Sequence, residues 1–326
     1  MSLLLSEKDV RAVLSMDDLI AAMERALDGF SAGAVRQPLR TVVTIGAGHA
    51  FYGVMPAFIE SPAALGAKLV TVYHSNLGRG LPSHLATIVL HDPETGALQA
   101  IVDGRYITEA RTAAASAASA KHLAREDARV LAVLGSGVQA RSHIEAIGRV
   151  RPIDEIRIWG RTPDRVRRLI DEAGGSSRAR LVAASSVETA VRGADIIALV
   201  TASREPVLAR AWVSDGTHVC AVGACRPDQR EMDTALVRDA KVFVDSRAGA
   251  LAEAGDIVIP IGEGAIEASH ISGELGDVIG QRTRGRQSAS DITVFKSLGM
   301  AVEDLAAAHL AFDRASARGL GRGFVL

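Results

Sequence analysis

Gly135-Ser136-Gly137-Val138-Gln139-Ala140 has the clearest chemical meaning of any stretch in the chain. It follows the apolar run Val130-Leu131-Ala132-Val133-Leu134 and opens a helical pattern through Ile144 and Ile147. Strand, tight turn and helix in that order form the Gly-x-Gly-x-x-Ala fingerprint of dinucleotide binding. Gly135 permits the turn, Gly137 lets the backbone approach a pyrophosphate, and Ala140 lets the helix pack closely on the strand. The anion then rests on the N–H groups and positive dipole end of the helix, with Ser136, Val138 and Gln139 around it. A glycine turn in some other α/β unit is the plain alternative. About two dozen residues after Gly135 the next strand ends in Trp159-Gly160-Arg161-Thr162, where the fingerprint sets cofactor choice. Gly160 offers no carboxylate to a ribose 2′-hydroxyl, whereas Arg161, Thr162 and Arg165 suit a 2′-phosphate. This contrast favours NADP(H) over NAD(H). The alternative is a solvated arginine cluster at a helix start.

These residues need a frame, and the bulk composition allows a large one. The chain has 326 residues, 48% hydrophobic and 23% charged, enough for two ordinary globular domains. A formal net charge of −1 gives no electrostatic reason to expect nucleic acid or a membrane surface as partner. No signal peptide or membrane span is expected, and Cys220 and Cys225 lie too close for a disulfide framework, so a reduced, cytoplasmic setting fits. No metal site is apparent.

Residues 1–30 read as two helices, each opened by a capping-box pattern at Ser6-x-x-Asp9 and Ser15-x-x-Asp18. Residues 41–45, 51–55, 67–73, 86–90 and 97–102 read as strands without crossover helices, hence a mainly antiparallel sheet. An alanine-rich helix is expected over 108–123 with Thr108 as its cap, which places Arg111 and Thr112 in its first turn. A cation is disfavoured there by the helix dipole, so an anion is expected to join Arg111. From about 129 to 246, strands at 130–134, 155–159, 180–183, 195–200, 218–222 and 241–245 alternate with helical patterns, the mark of a doubly wound parallel sheet. Residues 295–318 read as a long helix returning to the first domain, whose Leu305, Leu310 and Phe312 need a surface to bury against.

Two side chains stand out within the strand-rich part. Lys68 sits in Ala67-Lys68-Leu69-Val70, so it either points to solvent or reaches a polar cavity. His84, in Pro82-Ser83-His84, is a second titratable group, and a lone histidine is more often structural.

Taken together, Gly66–Val70, Leu81–His84, Asp103–Ala114, Gly135–Ala140, Val222–Asp228 and Asp291–Gly299 resemble the ornithine cyclodeaminase/mu-crystallin family along nearly the whole chain. The resemblance implies a Rossmann domain, residues 116–299, inserted in a strand-rich α+β substrate and dimerisation domain, residues 1–115 plus 300–326. It implies hydride exchange between a nicotinamide and the α-carbon of an amino or imino acid, in a homodimer. By this likeness Arg40 and Arg111 match carboxylate-binding arginines, and Lys68, with His84, manages a proton. Thr112, Thr201, Val222, Gly223 and Ser297 join the cofactor residues. The chain departs from the family's deaminating enzymes at Cys225, where they carry an aspartate that takes a proton from the substrate ammonium. A thiol serves poorly there. The expectation is therefore an NADPH-dependent reductase of preformed cyclic imines such as pyrroline-2-carboxylate or piperideine-2-carboxylate. A cyclodeaminase or alanine dehydrogenase is the alternative, and a non-catalytic binding protein a third.

Overall fold

A computed structural model of the chain describes residues 2–46, 50–175 and 177–325. It falls into two compact units, Met1–Arg111 with Met300–Leu326, and Thr112–Gly299. The first unit opens with β1 (Ser2–Leu5), α1 (Glu7–Val13) and α2 (Met16–Ser31), followed by β2 (Val35–Arg36), β3 (Thr41–Ile45), β4 (Ala50–Ile59), β5 (Ala64–Tyr73), β6 (His84–His91) and β7 (Leu98–Asp103). Helix α3 (Arg105–Leu123) leads to β8 (Val130–Leu134), α4 (Val138–Val150), β9 (Glu155–Trp159), α5 (Pro163–Gly174), β10 (Arg180–Ala183), α6 (Val187–Val191), β11 (Ile196–Leu199) and β12 (His218–Ala221). Then come α7 (Thr234–Asp239), β13 (Lys241–Val244), α8 (Arg247–Glu253), α9 (Gly255–Gly262), β14 (Ile271–Glu274), α10 (Leu275–Ile279) and β15 (Thr293–Lys296). The chain returns to the first unit in α11 (Ala301–Ala317) and β16 (Arg322–Phe324).

The first unit is built on one sheet in the order β16-β1-β7-β6-β5-β4-β2, with β3 also on β4. All its pairings are antiparallel except β1 with β7. Both capping serines do what their spacing predicts: Ser6 and Asp9 exchange hydrogen bonds, and Ser15 accepts from the Asp18 N–H. Period-two patterning decides the faces. Met55, Ala57 and Ile59 of β4 pair with Lys68, Gly66 and Ala64 of β5, and all six are buried. Helix α11 covers this face and α2 packs on α11. The closest approach is at Gly66, where a Cβ would stand 3.0 Å from Leu305 Cδ1 and 2.3 Å from the Val89 carbonyl oxygen. A side chain at Gly66 would collide with the backbone of β6 and crowd Leu305 of α11. On the other face Leu65, Ala67 and Leu69 of β5 and Val54, Pro56 and Phe58 of β4 stay half-exposed.

The second unit is a wholly parallel sheet, β10-β9-β8-β11-β12-β15-β13-β14. Parallel strands buried on both faces read as continuous apolar runs, and β8 shows why. Leu131 and Val133 enter one core with Ile144, Ile156 and Ile158, while Ala132 and Leu134 enter the other with Ile197, Val219 and Val294. The fold is thus α/β, with one parallel and one mainly antiparallel sheet.

Three local expectations change. Helix α3 starts at Arg105, whose N–H donates to Asp103 Oδ1 at 3.1 Å, so Thr108 is not the cap. Arg111 therefore lies beyond the first turn, where the dipole no longer acts on it. Residues 295–318 are not one helix. Thr293–Lys296 is a central strand between β12 and β13, and Gly299, at φ +78°, breaks the chain before α11. Val294 and Phe295 are wholly buried, and a short buried apolar run suits strand and helix alike, so periodicity alone does not separate them.

Candidate active site

In the first unit four charges share one buried cluster. Lys68 on β5 forms an ion pair with Asp304 Oδ2. Arg111 on α3 donates from Nε to Asp304 Oδ1 at 2.8 Å and from Nη1 to Glu303 Oε2 at 2.6 Å. All four side chains are at most 5% exposed. The anion that joins Arg111 is therefore supplied first by the protein. Arg111 thus engages the two carboxylates through Nε and Nη1, and Lys68 is paired with Asp304.

The charges shape each other. Burial pushes the Lys68 ammonium down to about 8, with the Arg111 and Arg40 cations adding to the shift and Asp304 opposing it. Burial would lower Arg111 too, but Asp304 and Glu303 outweigh it and hold the guanidinium above its ordinary value. Burial alone would raise Asp304; Arg111 and Lys68 reverse this and hold it below the usual carboxylate range. Arg40 thus stands close enough for its charge to act on Lys68. It lies in the loop before β3, and that loop is pinned by Gln37, whose Oε1 accepts the Val302 N–H at 2.9 Å. This bond serves the start of α11, whose own cap residue Met300 has no side-chain acceptor.

His84 is not part of this cluster. It is exposed, with Ser83 Oγ 3.1 Å from its Nδ1. It pairs with Val72 while Lys68 pairs with Ile88, so it shares a sheet face with Lys68 but stands four residues along the strand. That is a separation of about 13 Å.

In the second unit the parallel topology gathers the cofactor candidates at one edge. Gly135, Gly160, Thr201, Val222 and Ser297 follow the carboxyl ends of β8, β9, β11, β12 and β15. The order turns at β8, with β9 and β10 to one side and β11 onward to the other, and ligands bind at such a point. Gly135 has φ +136°, and a Cβ there would stand 2.6 Å from the Val200 carbonyl oxygen. Gly160 is likewise pressed on Ser136, whose Oγ would lie 2.9 Å from an added Cβ. Above Gly137, by contrast, an added Cβ meets nothing within 4 Å, and Val138 is 61% exposed. Gln139 Oε1 is buried without a hydrogen-bond partner. An open cradle at the start of the 13-residue α4, with an orphaned polar atom beside it, fits a dinucleotide. Arg161, Thr162 and Arg165 are exposed beside this loop. Thr112 is buried on α3.

Behind the edge lies a network that sequence reasoning missed. Glu231 Oε1 accepts from the Thr201 N–H at 2.8 Å and its hydroxyl at 2.7 Å, and Oε2 accepts from the Gly223 N–H at 2.6 Å. Asp256 Oδ1 accepts from the Glu231 and Met232 N–H groups, and its Oδ2 stands 3.0 Å from Lys296 Nζ. Lys296 also donates to the Ala224 carbonyl at 2.5 Å. Thr201 and Gly223 are thus held from behind. Ser297 is buried 3.5 Å from Asp245, which also binds the next two backbone N–H groups. Cys225 is half-buried, its Sγ donating to the Val222 carbonyl at 3.3 Å, and Asp228 pairs with Arg226 at the surface. Glu303 and Asp304 were also missed. Acids in the first turn of a helix read as dipole partners, and only their place in the alanine-rich run Ala301–Ala308 hinted at burial.

Comparison with known proteins agrees in sequence and in fold. The profile of the ornithine cyclodeaminase/mu-crystallin family matches residues 1–319. The ketimine reductase mu-crystallin of Mus musculus is 44% identical over 300 residues, 90% of this chain and 91% of its own. The structure of Thermococcus litoralis Δ1-pyrroline-2-carboxylate reductase, in complex with NADH and L-proline, superposes with a TM-score of 0.96 at 38% identity, covering 99% of this chain and 100% of that one. An archaeal alanine dehydrogenase dimer with bound NAD gives a TM-score of 0.95 at 30% identity, over 100% and 99% of the two chains. Matched along nearly its whole length by profile, sequence and fold, the chain belongs to the ornithine cyclodeaminase/mu-crystallin family.

Proposed function

We propose that this protein is an NADPH-dependent reductase of cyclic α-imino acids, taking pyrroline-2-carboxylate or piperideine-2-carboxylate to L-proline or L-pipecolate. The observation that carries this reading is the buried cluster in which Asp304 and Glu303 hold Lys68 and Arg111 together. A guanidinium fork matches a carboxylate, so Arg111 Nη2 binds the substrate carboxylate and Arg40 adds a second positive charge. Lys68, brought down to about 8, sits near the pH at which a general acid works best, and gives its proton to the substrate nitrogen. The bound dinucleotide supplies the hydride. His84, exposed and apart, takes a peripheral part at the substrate side. Ser136, Gly137, Val138 and Gln139 hold the pyrophosphate, and Thr112, Thr201, Val222, Gly223 and Ser297 line the remainder of the cofactor site. By the resemblance, Cys225 replaces an aspartate of the deaminating enzymes, and a preformed imine has no ammonium proton to remove.

Gly160 with Arg161, Thr162 and Arg165 supports NADPH over NADH. Oxidation of each cofactor, followed by absorbance with both imines, tests the whole reading. NADPH should be preferred, and Arg161→Ala should raise its KM about tenfold or more, since a charged hydrogen bond contributes about 1.5–3 kcal/mol, while NADH is hardly affected. Equal use of both cofactors by the native enzyme would sink the NADP assignment. Ammonia release from ornithine or alanine without added imine would favour the deaminating alternative, which the likeness to alanine dehydrogenase keeps in view.

A homodimer is the assembly we infer. The half-exposed apolar face around Leu65, Leu69 and Phe58 needs cover, and the related alanine dehydrogenase is a dimer. Sedimentation equilibrium should give twice the 34.2 kDa chain mass, and a monomer at micromolar concentration would reject this.

A further inference from the structure

We infer that Asp304 is the positioning residue of the imino-acid site: one carboxylate holds the Lys68 ammonium and the Arg111 guanidinium together, and so fixes both the geometry of carboxylate binding and the proton available for transfer. The inference rests on the imine-reductase reading above and adds to it a residue that makes no contact with substrate.

The geometry is specific. Asp304 uses Oδ1 for Arg111 Nε and Oδ2 for Lys68. Neither oxygen is left for substrate, and the carboxylate is 1% exposed. Because Asp304 engages Nε and Glu303 engages Nη1, the orientation of the guanidinium plane is set from two sides. The helix that carries Asp304 packs on β5, with Leu305 over Gly66. Gln37, by bonding the Val302 N–H, ties the Arg40 loop to the same helix turn. Three cations from three different segments thus take their places from the first turn of α11.

The charged groups facing Lys68 are Asp304 on α11, Arg111 on α3 and Arg40 in the loop before β3. Both arginines oppose its protonation, and Asp304 alone of the three favours it. If protonated Lys68 is the acid, kcat/KM falls as pH rises through its pKa, and the alkaline limb of the wild-type profile lies near pH 8. Asp304→Asn removes the one favourable charge. The limb should move to lower pH by about 1 to 3 units, the usual effect of a single close counter-charge.

The test is the pH profile of kcat/KM for pyrroline-2-carboxylate in the wild type, Asp304→Asn and Glu303→Gln, with dinucleotide binding as the check on folding. Glu303→Gln should raise the imine KM through Arg111 but leave the limb within about 0.5 unit of wild type, since Lys68 keeps its partner. An Asp304→Asn limb that stays in place overturns the assignment. So does a Glu303→Gln limb that moves by 1 unit or more, which would assign control to the net charge of the cluster, and this arm holds even if Asp304→Asn does not fold. A wild-type enzyme with no imine turnover overturns the reaction itself, an outcome read before either variant.

Discussion

Lys68→Met should lower kcat for imine reduction by about 10² to 10⁴, the usual worth of a positioned general acid. Dinucleotide affinity should not change, because the proposed cofactor residues lie in the 112–299 unit and Lys68 lies in the other. Methionine keeps most of the length of lysine and removes the charge and the donors. The effect should fall mainly on kcat, whereas Arg111 variants should raise the imine KM as well, since Arg111 is assigned to the ground-state carboxylate. Steady-state kinetics with saturating NADPH decide this. A Lys68→Met enzyme within a factor of ten of wild type would remove Lys68 from the chemistry and leave it as an internal counter-ion for Asp304. The variant also leaves Asp304 with Arg111 as partner, so some stability is retained.

The second large effect concerns stability. Lys296→Met should lower the unfolding free energy of the second unit by about 3–5 kcal/mol, the cost of removing one partner from a buried ion pair. Lys296, Asp256 and Glu231 are all wholly buried. Burial alone would lower the Lys296 ammonium; Asp256, Cys225 and Glu231 outweigh it and hold it above its ordinary value. Without the ammonium, Asp256 and Glu231 face each other with no buried cation between them. Glu231 is already pushed up by burial, against the pull of Lys296, and would be pushed further. Once it is protonated, the bonds to Thr201 and Gly223 weaken, so cofactor affinity should fall together with stability. Urea denaturation and cofactor titration of the same variant test both halves. A loss below about 1 kcal/mol would mean that the pair's desolvation nearly cancels its attraction.

These two clusters also mark how far the sequence could be read. The glycine turn between β8 and α4 was legible because its geometry is local: strand, Gly135, Gly137, Ala140 and helix follow one another within a dozen residues, and the backbone needs those residue types whatever the rest of the chain does. The two kinds of sheet were legible for the same reason. Alternation over β4 and β5 and unbroken apolar runs in β8 and β11 report burial on one face or on two.

Where partners are far apart in the chain, that local logic ends. Arg111 was expected to need an anion, and the need was real, but its cause was mistaken. The helix begins three residues earlier than expected, and the anions come from Glu303 and Asp304, about 190 positions away. Lys68 by its own pattern reads as a solvent-facing residue, and only the family resemblance reverses this, because alternation names two faces without saying which is inside. Asp304 decides it, through a helix that reaches the strand over Gly66. The stretch from Phe295 reads as the start of a helix, and only its place between β12 and β13 makes Thr293–Lys296 a strand. Spacing along the chain thus determined which backbone could cradle a phosphate and where sheets would form. Tertiary structure decided which charges meet, because a buried charge is stable only beside its counter-charge, and that counter-charge is brought by folding from a distant segment.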